Sequence, residues 1–356
     1  VTILEAQAFY EGRFQDGFLR GRNQLRAELP IAGSRDRIPH SCMKAAAMAS
    51  DTNSTGRQGP EAPQDSTRPA LGVAAAVIIV FIWSGWLIVS KVGAESALTI
   101  FDIAALRFGL SGLVSLPIVL YYKPWRGMPV HRMVVIAILA GVPYVLLGYA
   151  AFTFAPAAYG GVFMNGVLPA MTLALGWFWL KERPRASQVG GAALIIAGAV
   201  LAALEAIQAA ASGAWIGALL FLVAACWFSV YLILNRLWQV KPLQVLLVLS
   251  VLSGLVYVPI WYIFLPSNLA EAPTNQILLQ GTYQMLPNLV GLNLLTLAVR
   301  HAGPSVSAAI VSAVPSVGAI LGLVILGEEL GPLTWAGIVV LSLGILLTAV
   351  RPRDAG

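Results

Sequence analysis

From Leu71 to Val350 the chain runs through long uncharged apolar stretches separated by short polar breaks. A membrane-spanning helix needs about 20 apolar residues. Ten stretches of that order can be marked, at 71–92, 99–121, 133–153, 158–180, 186–205, 213–234, 243–265, 277–299, 304–326 and 332–350. The pattern predicts an all-α integral membrane protein with ten transmembrane helices. The third and eighth stretches are the weakest, because they carry Pro143 and Pro287. Proline is tolerated in a membrane helix where neighbours satisfy the freed carbonyl. Composition agrees, with 58% hydrophobic and 11% charged residues against about 25% charged in a soluble domain.

Residues 1–69 break the pattern. They hold nine of the 22 Lys/Arg and half of the 16 acids, and "SDTNSTGRQGPEAPQDSTRP" closes them. That composition predicts a disordered N-terminal cytoplasmic tail. No apolar core follows a basic start, so no signal peptide is expected. Two readings of residues 1–42 stand side by side. Translation starts at Met43 or Met48 and the upstream stretch is non-native, or "AQAFYEGRFQDGFLRGRNQLRAEL" forms a surface helix, whose mixed charges suit a membrane anchor poorly.

The net charge of +6 changes the picture through its distribution. Lys123, Arg126 and Arg132 follow the second stretch, and Lys181, Arg183 and Arg185 the fourth. Arg236 and Lys241 follow the sixth, Arg300 the eighth, and Arg351 and Arg353 the tenth. The alternate breaks carry Glu95, Glu205, Glu271, Glu328 and Glu329. Basic loops stay in the cytoplasm, so both termini are expected there, in the cell's inner membrane. The basic balance is a topology signal, and no nucleic-acid partner is expected.

The second half of the chain repeats the first. Shifted by 146 residues, Pro169 falls on Pro315, Leu180 on Leu326, Glu182 on Glu328, Gly191 on Gly337 and Gly198 on Gly344. A shift of 144 lays "FIWSGWLIVSK" on "ACWFSVYLILN" and Trp83 on Trp227. Two five-span units follow, at 70–207 and 208–351. Five is odd, so the copies must be inverted with respect to each other. In both copies thirteen residues separate proline from glutamate, roughly 20 Å of helix. Each proline is thus placed about two thirds of the way across the bilayer, as a bend or a polar contact on a central cavity.

Four motifs carry a family resemblance. They are "WSGWLIVSK" in the first span, "LRFGLSG" in the second, "LKERP" after the fourth and "GEELGP" after the ninth. With the ten spans and the duplication, the chain resembles the EamA-type transporters of the drug/metabolite transporter (DMT) superfamily over about residues 70–351. The long N-terminal extension departs from that pattern. The resemblance implies a ten-helix bundle around a central cavity. It also implies a secondary transporter for a small metabolite, in efflux or exchange of an amino acid or related compound. Alternating access would come from rocking of the repeats. A non-transporting ligand sensor or partner subunit, and a lipid-head-group translocator with a laterally open cavity, are the other readings.

Polar residues within a bilayer are costly and therefore candidates for function. Trp83, Ser84 and Trp86 match the family's first-span motif and lead the cavity set, with Trp227 and Tyr231 as their repeat counterparts. Packing against lipid or neighbours is the plainer role for the tryptophans. Arg107 lies deep in the second span and needs a carboxylate, carbonyls or an anionic substrate. Tyr144, Asn165, Pro169, Tyr283, Asn288 and Pro315 complete the set, with Tyr149 and Asn293 as further polar groups at depth. Structural or interfacial roles fall to Lys91, Asp102, Glu182 and Glu328. Asp102 or Glu95 would partner Lys91 or Arg107, and an ion pair of Asp102 with either base competes with substrate binding. The paired glycines read as close helix packing, of the fifth span on the tenth or of each within its own repeat.

Further chemistry is not called for. Cys42 and Cys226 lie far apart, the three histidines fall outside the spans, and no acid is placed near the midplane. Neither catalytic nor metal-ligating residues, nor a cofactor, are expected. The expected partners are a small-molecule substrate and the lipid bilayer. A monomer suffices, and an oligomer remains open.

Overall fold

The computed structural model describes residues 68–208 and 213–349. The expectations for the N-terminal tail, for a start at Met43 or Met48 and for Arg351 and Arg353 lie outside these residues. Ten helical stretches follow one another: α1 (Pro69–Ala94), α2 (Ile100–Tyr122), α3 (Val130–Phe152), α4 (Ala157–Leu180), α5 (Ala186–Gln208), α6 (Ala214–Leu237), α7 (Pro242–Phe264), α8 (Thr274–Leu286 continuing to Ala302), α9 (Pro304–Val311 and Val314–Leu326) and α10 (Pro332–Ala349). Among the described residues nine of these are long and apolar enough to cross a membrane. The tenth, α8, is diluted by Gln276, Gln280, Gln284, Asn288 and Asn293. Large apolar side chains such as Leu113, Phe178, Leu255 and Val324 are exposed on the helices, as a lipid-facing surface requires.

The prolines mark breaks. In α3 the first segment ends at Ala140 and Pro143 opens the second. In α4 a π-helical turn over Gly160–Gly166 precedes a new helix, Leu168–Leu180, with Pro169 in its first turn. In α9 the helix stops at Val311 and restarts at Val314, again with proline, Pro315, in the first turn. Proline has no N–H to donate and is pre-set for a helix start. The two breaks meet: a Cβ on Gly161 would lie 3.2 Å from the Cα of Pro315.

The two repeats end their fourth helix alike. Lys181 sits in the left-handed region at φ 57°, and its repeat mate Gly327 at φ 68°. Glu182 N–H then donates to Gly176 O and Glu328 N–H to Gly322 O. A side chain in this region costs about 1 kcal/mol that glycine avoids. Lys181→Gly is accordingly expected to stabilise the protein by about 1 kcal/mol, read as a raised melting temperature in detergent.

The inversion of the repeats is visible where α5 packs on α10. A Cβ on Gly191 would lie 2.7 Å from Gly344 O, and one on Gly344 2.7 Å from Gly191 O. A Cβ on Gly337 would lie 2.5 Å from Gly198 O. Contacts 191–344 and 198–337 run in opposite directions along the two helices and exchange under the 146-residue shift. Repeat mates that pack antiparallel on each other are related by a two-fold axis across the helices, in the plane of the membrane.

Candidate functional site

A polar cluster lies where α8 of the second repeat meets α1, α2 and α3 of the first. Its hub is Gln284, fully buried. The Gln284 amide oxygen accepts the indole N–H of Trp86 at 2.7 Å, the hydroxyl of Tyr149 at 2.8 Å and Nη1 of Arg107 at 3.4 Å. Its amide nitrogen donates to Gln280 Oε1 at 2.9 Å and Ser90 Oγ at 3.3 Å. Gln280 in turn donates to Val89 O at 2.8 Å. The Arg107 guanidinium sits 5.5 Å from the centroid of the Trp86 ring, within reach of a cation–π attraction. Phe152 packs edge-on against the same ring at 6.2 Å.

Helix geometry sets this arrangement. Trp86 and Ser90 are four apart on α1, and Gln280 and Gln284 four apart on α8, so each pair shares a face. Arg107 lies seven residues into α2, about 10 Å from its end, too deep to reach water. Gln280 and Gln284 were not among the candidates read from sequence, although Gln276, Gln280, Gln284 and Asn288 recur at every fourth position. That stripe of amides is the signal by which they can be found.

The remaining candidates take other positions. Trp83 is partly buried and packs against a cluster with Ala76, Ile79 and Ala298, and approaches Gly291 of α8. Ser84 Oγ donates to Val314 O at 3.1 Å, beside the α9 break. Tyr283 lies over Gly85 so closely that a Cβ there would collide with its hydroxyl. Trp227 donates to Ile138 O at 2.9 Å, at the break of α3. Tyr144 stacks on Phe228 at 4.7 Å, which joins α3 to α6, and Tyr231 lies tilted against Phe228 at 5.0 Å. Asn165 is half-buried in the π-helical turn of α4. Pro169 and Pro315 stand at the breaks of α4 and α9. Asn288 lies in the π-helical turn Pro287–Gly291 of α8.

The charged candidates hold the ends of the bundle. Lys91 bonds Phe152 O at 2.9 Å and pairs with Glu95 at 2.7 Å. An ion pair of Asp102 with Lys91 or Arg107 is corrected by the structure. Asp102 instead forms a capping box with Thr99, and accepts Trp261 Nε1 at 2.9 Å, Ser267 Oγ at 2.6 Å and Asn268 N at 3.0 Å. In the first turn of α2, a carboxylate can gather local N–H groups and the loop after α7 more readily than a cation a turn away.

Glu182 pairs with Arg236, both well exposed, a contact worth little in stability. Its repeat mate Glu328 accepts Ala157 N at 2.8 and 3.0 Å and so caps the start of α4. The difference has a local cause. The N–H of Gly303, which corresponds to Ala157, already donates to Val299 O. Glu205 accepts Gly331 N at 2.6 Å and Thr334 N at 2.9 Å, which ties the end of α5 to the start of α10. Both capping glutamates join one repeat to the other at the same end of the bundle. At the opposite end Glu182, Arg183, Arg185, Gln188, Arg236 and Thr348 line a polar recess of ≈ 400 Å³.

Comparison with known proteins places this architecture. The EamA-like transporter family matches the chain twice, over residues 70–204 and 215–350. The chain is 25% identical over 285 residues to the uncharacterized transporter YwfM of Bacillus subtilis (strain 168), across 78% of this chain and 93% of that protein. A solved structure, described only as the crystal structure of a protein, shares the fold at a TM-score of 0.54 and 20% identity, over 80% of this chain and 99% of the other. With both repeats matched over most of its length, the chain is a multi-pass membrane protein that belongs to the EamA-like transporter family of the DMT superfamily.

Proposed function

We propose that the chain is a secondary transporter of the inner membrane, with both termini cytoplasmic. It moves a small metabolite, an amino acid or related compound, in efflux or exchange by alternating access. The observation that carries this reading is the Gln284 cluster. It draws Trp86, Arg107 and Tyr149 from one repeat and Gln280 and Gln284 from the other. Substrate sites of inverted-repeat transporters sit at such an interface. The tethers made by Glu205 and Glu328 hold the repeats together at the end that the loop charges assign to the outside. In this reading the recess beside Glu182 and Arg236 lies at the cytoplasmic end.

Counterflow in proteoliposomes tests it. Purified protein is reconstituted with a pool of labelled amino acids and small organic acids, and saturable accumulation of one compound is the expected result. A compound that binds without accumulating would make the chain a sensor. Movement of a labelled lipid head group alone would make it a translocator of lipids.

A further inference from the structure

The Gln284 amide oxygen is oversubscribed. A carbonyl oxygen has two lone pairs, yet three donors from three helices converge on it: an indole N–H, a phenol hydroxyl and a guanidinium. The amide cannot be turned around. Its nitrogen is engaged by Gln280 Oε1 and Ser90 Oγ, and a flip would set N–H groups against N–H groups. The site thus has the donor set of an oxyanion pocket, and a neutral side chain occupies it. A carboxylate would bring about four lone pairs and a charge opposite to that of Arg107. Hydrogen bonds to an ionised acceptor are roughly twice as strong as neutral ones.

We infer that Gln284 is a built-in place-holder: the substrate carries a carboxylate, one oxygen of which takes the position of the Gln284 amide oxygen between Trp86, Tyr149 and Arg107. Gln284 then swings toward Gln280 and Ser90 as substrate enters. Trp86 and Phe152 form an aromatic wall beside that oxygen, which suits a small organic acid or amino acid better than a bare inorganic anion. This rests on the transport reading above and adds the chemical group by which substrate is chosen.

The test is chemical rescue of the full-length protein in nanodiscs, read by melting temperature and tryptophan fluorescence. Gln284→Ala removes the equivalent of an acetamide. Acetate is expected to restore the lost melting temperature at about tenfold lower concentration than acetamide, the gain of a charge-assisted over a neutral bond. Equal rescue by the two, or rescue by acetamide alone, overturns the inference. Phosphate in place of acetate separates carboxylate from phosphate recognition, and stronger rescue by phosphate also overturns it.

Should Gln284→Ala not fold, Gln284→Glu decides. It tethers a carboxylate among the three donors but loses the bond to Gln280 Oε1, so it is compared with Gln284→Leu, which fills the space with no acceptor. Gln284→Glu is expected to melt above Gln284→Leu at neutral pH and to lose substrate counterflow. A melting temperature no higher than that of Gln284→Leu would show a pocket that rejects anions and overturn the inference. Failure of the transport reading looks different: acetate rescue persists while no compound accumulates. Conversely, counterflow of an amine that Gln284→Glu leaves intact would sink the inference and spare the transport reading.

Discussion

Gly198→Ala is expected to disrupt the bundle, at a cost of about 3 kcal/mol, seen as a sharply lowered melting temperature and loss of the monodisperse peak in detergent. The clash is with main chain. A Cβ on Gly198 would run into Gly337 O and stand 2.7 Å from Leu341 N. A side chain can rotate away from an added methyl, but two helix backbones in contact can only separate. Their separation would also pull apart Gly191 and Gly344 two turns along, since the four glycines form a single seam. Membrane helices lack a hydrophobic drive toward each other and rely on this close approach. Gly190→Ala is the control. Its Cβ would lie 3.7 Å from Leu347 Cδ2, an ordinary contact, and alanine favours the helix by up to about 1 kcal/mol. Equal melting temperatures for the two variants would show that the seam does not hold the repeats together.

Those glycines also show what can be read from sequence. Their recurrence at a fixed spacing announces close packing, and five spans per copy impose the inversion. Neither establishes which helix packs on which, and two arrangements stayed open until 191–344 and 198–337 were seen to exchange. Apolar length finds nine spans readily. It nearly loses α8, which carries the amides of the candidate site. The candidate site was legible where residues are ionisable or aromatic, as with Arg107 and Trp86. It was missed at Gln280 and Gln284, since amides dilute an apolar run without bringing the charge that singles out a buried group. Their importance comes from what they face across the repeat interface. Trp227 and Ser84 illustrate the opposite case. Ser84 lies in the first-span motif and Trp227 is the repeat counterpart of Trp83, yet both donate to carbonyls beside helix breaks, a partnership that depends on backbone geometry in another span.

Glu328 leads to the second large effect, a dependence of transport on pH at the end of the bundle proposed to face outward. Its carboxylate folds back over Gly322 of its own helix and caps Ala157 of the other repeat. Burial pushes its pKa above the ordinary 4.5, with Glu95 adding to the rise and Lys91 and the N–H groups of Ala157 and Ala158 opposing it. In the alternating access proposed above, Ala157 leaves when this end opens and the carboxylate returns to water, with its ordinary value. Protons favour the state with the higher pKa, here the closed one. The added stability of the closed state is full below 4.5 and is lost as pH rises through the raised value. A protonated carboxyl keeps its carbonyl oxygen, so Ala157 stays capped. Acidifying the outer medium is therefore expected to slow exchange. Glu328→Gln, neutral at every pH and still an acceptor, is expected to be slow throughout and flat in its pH profile. Exchange measured in proteoliposomes with the outer pH varied and the inner pH clamped decides the matter. Acceleration by acid, or an unchanged pH profile in Glu328→Gln, would separate the Glu328 contact from the opening of the outer end.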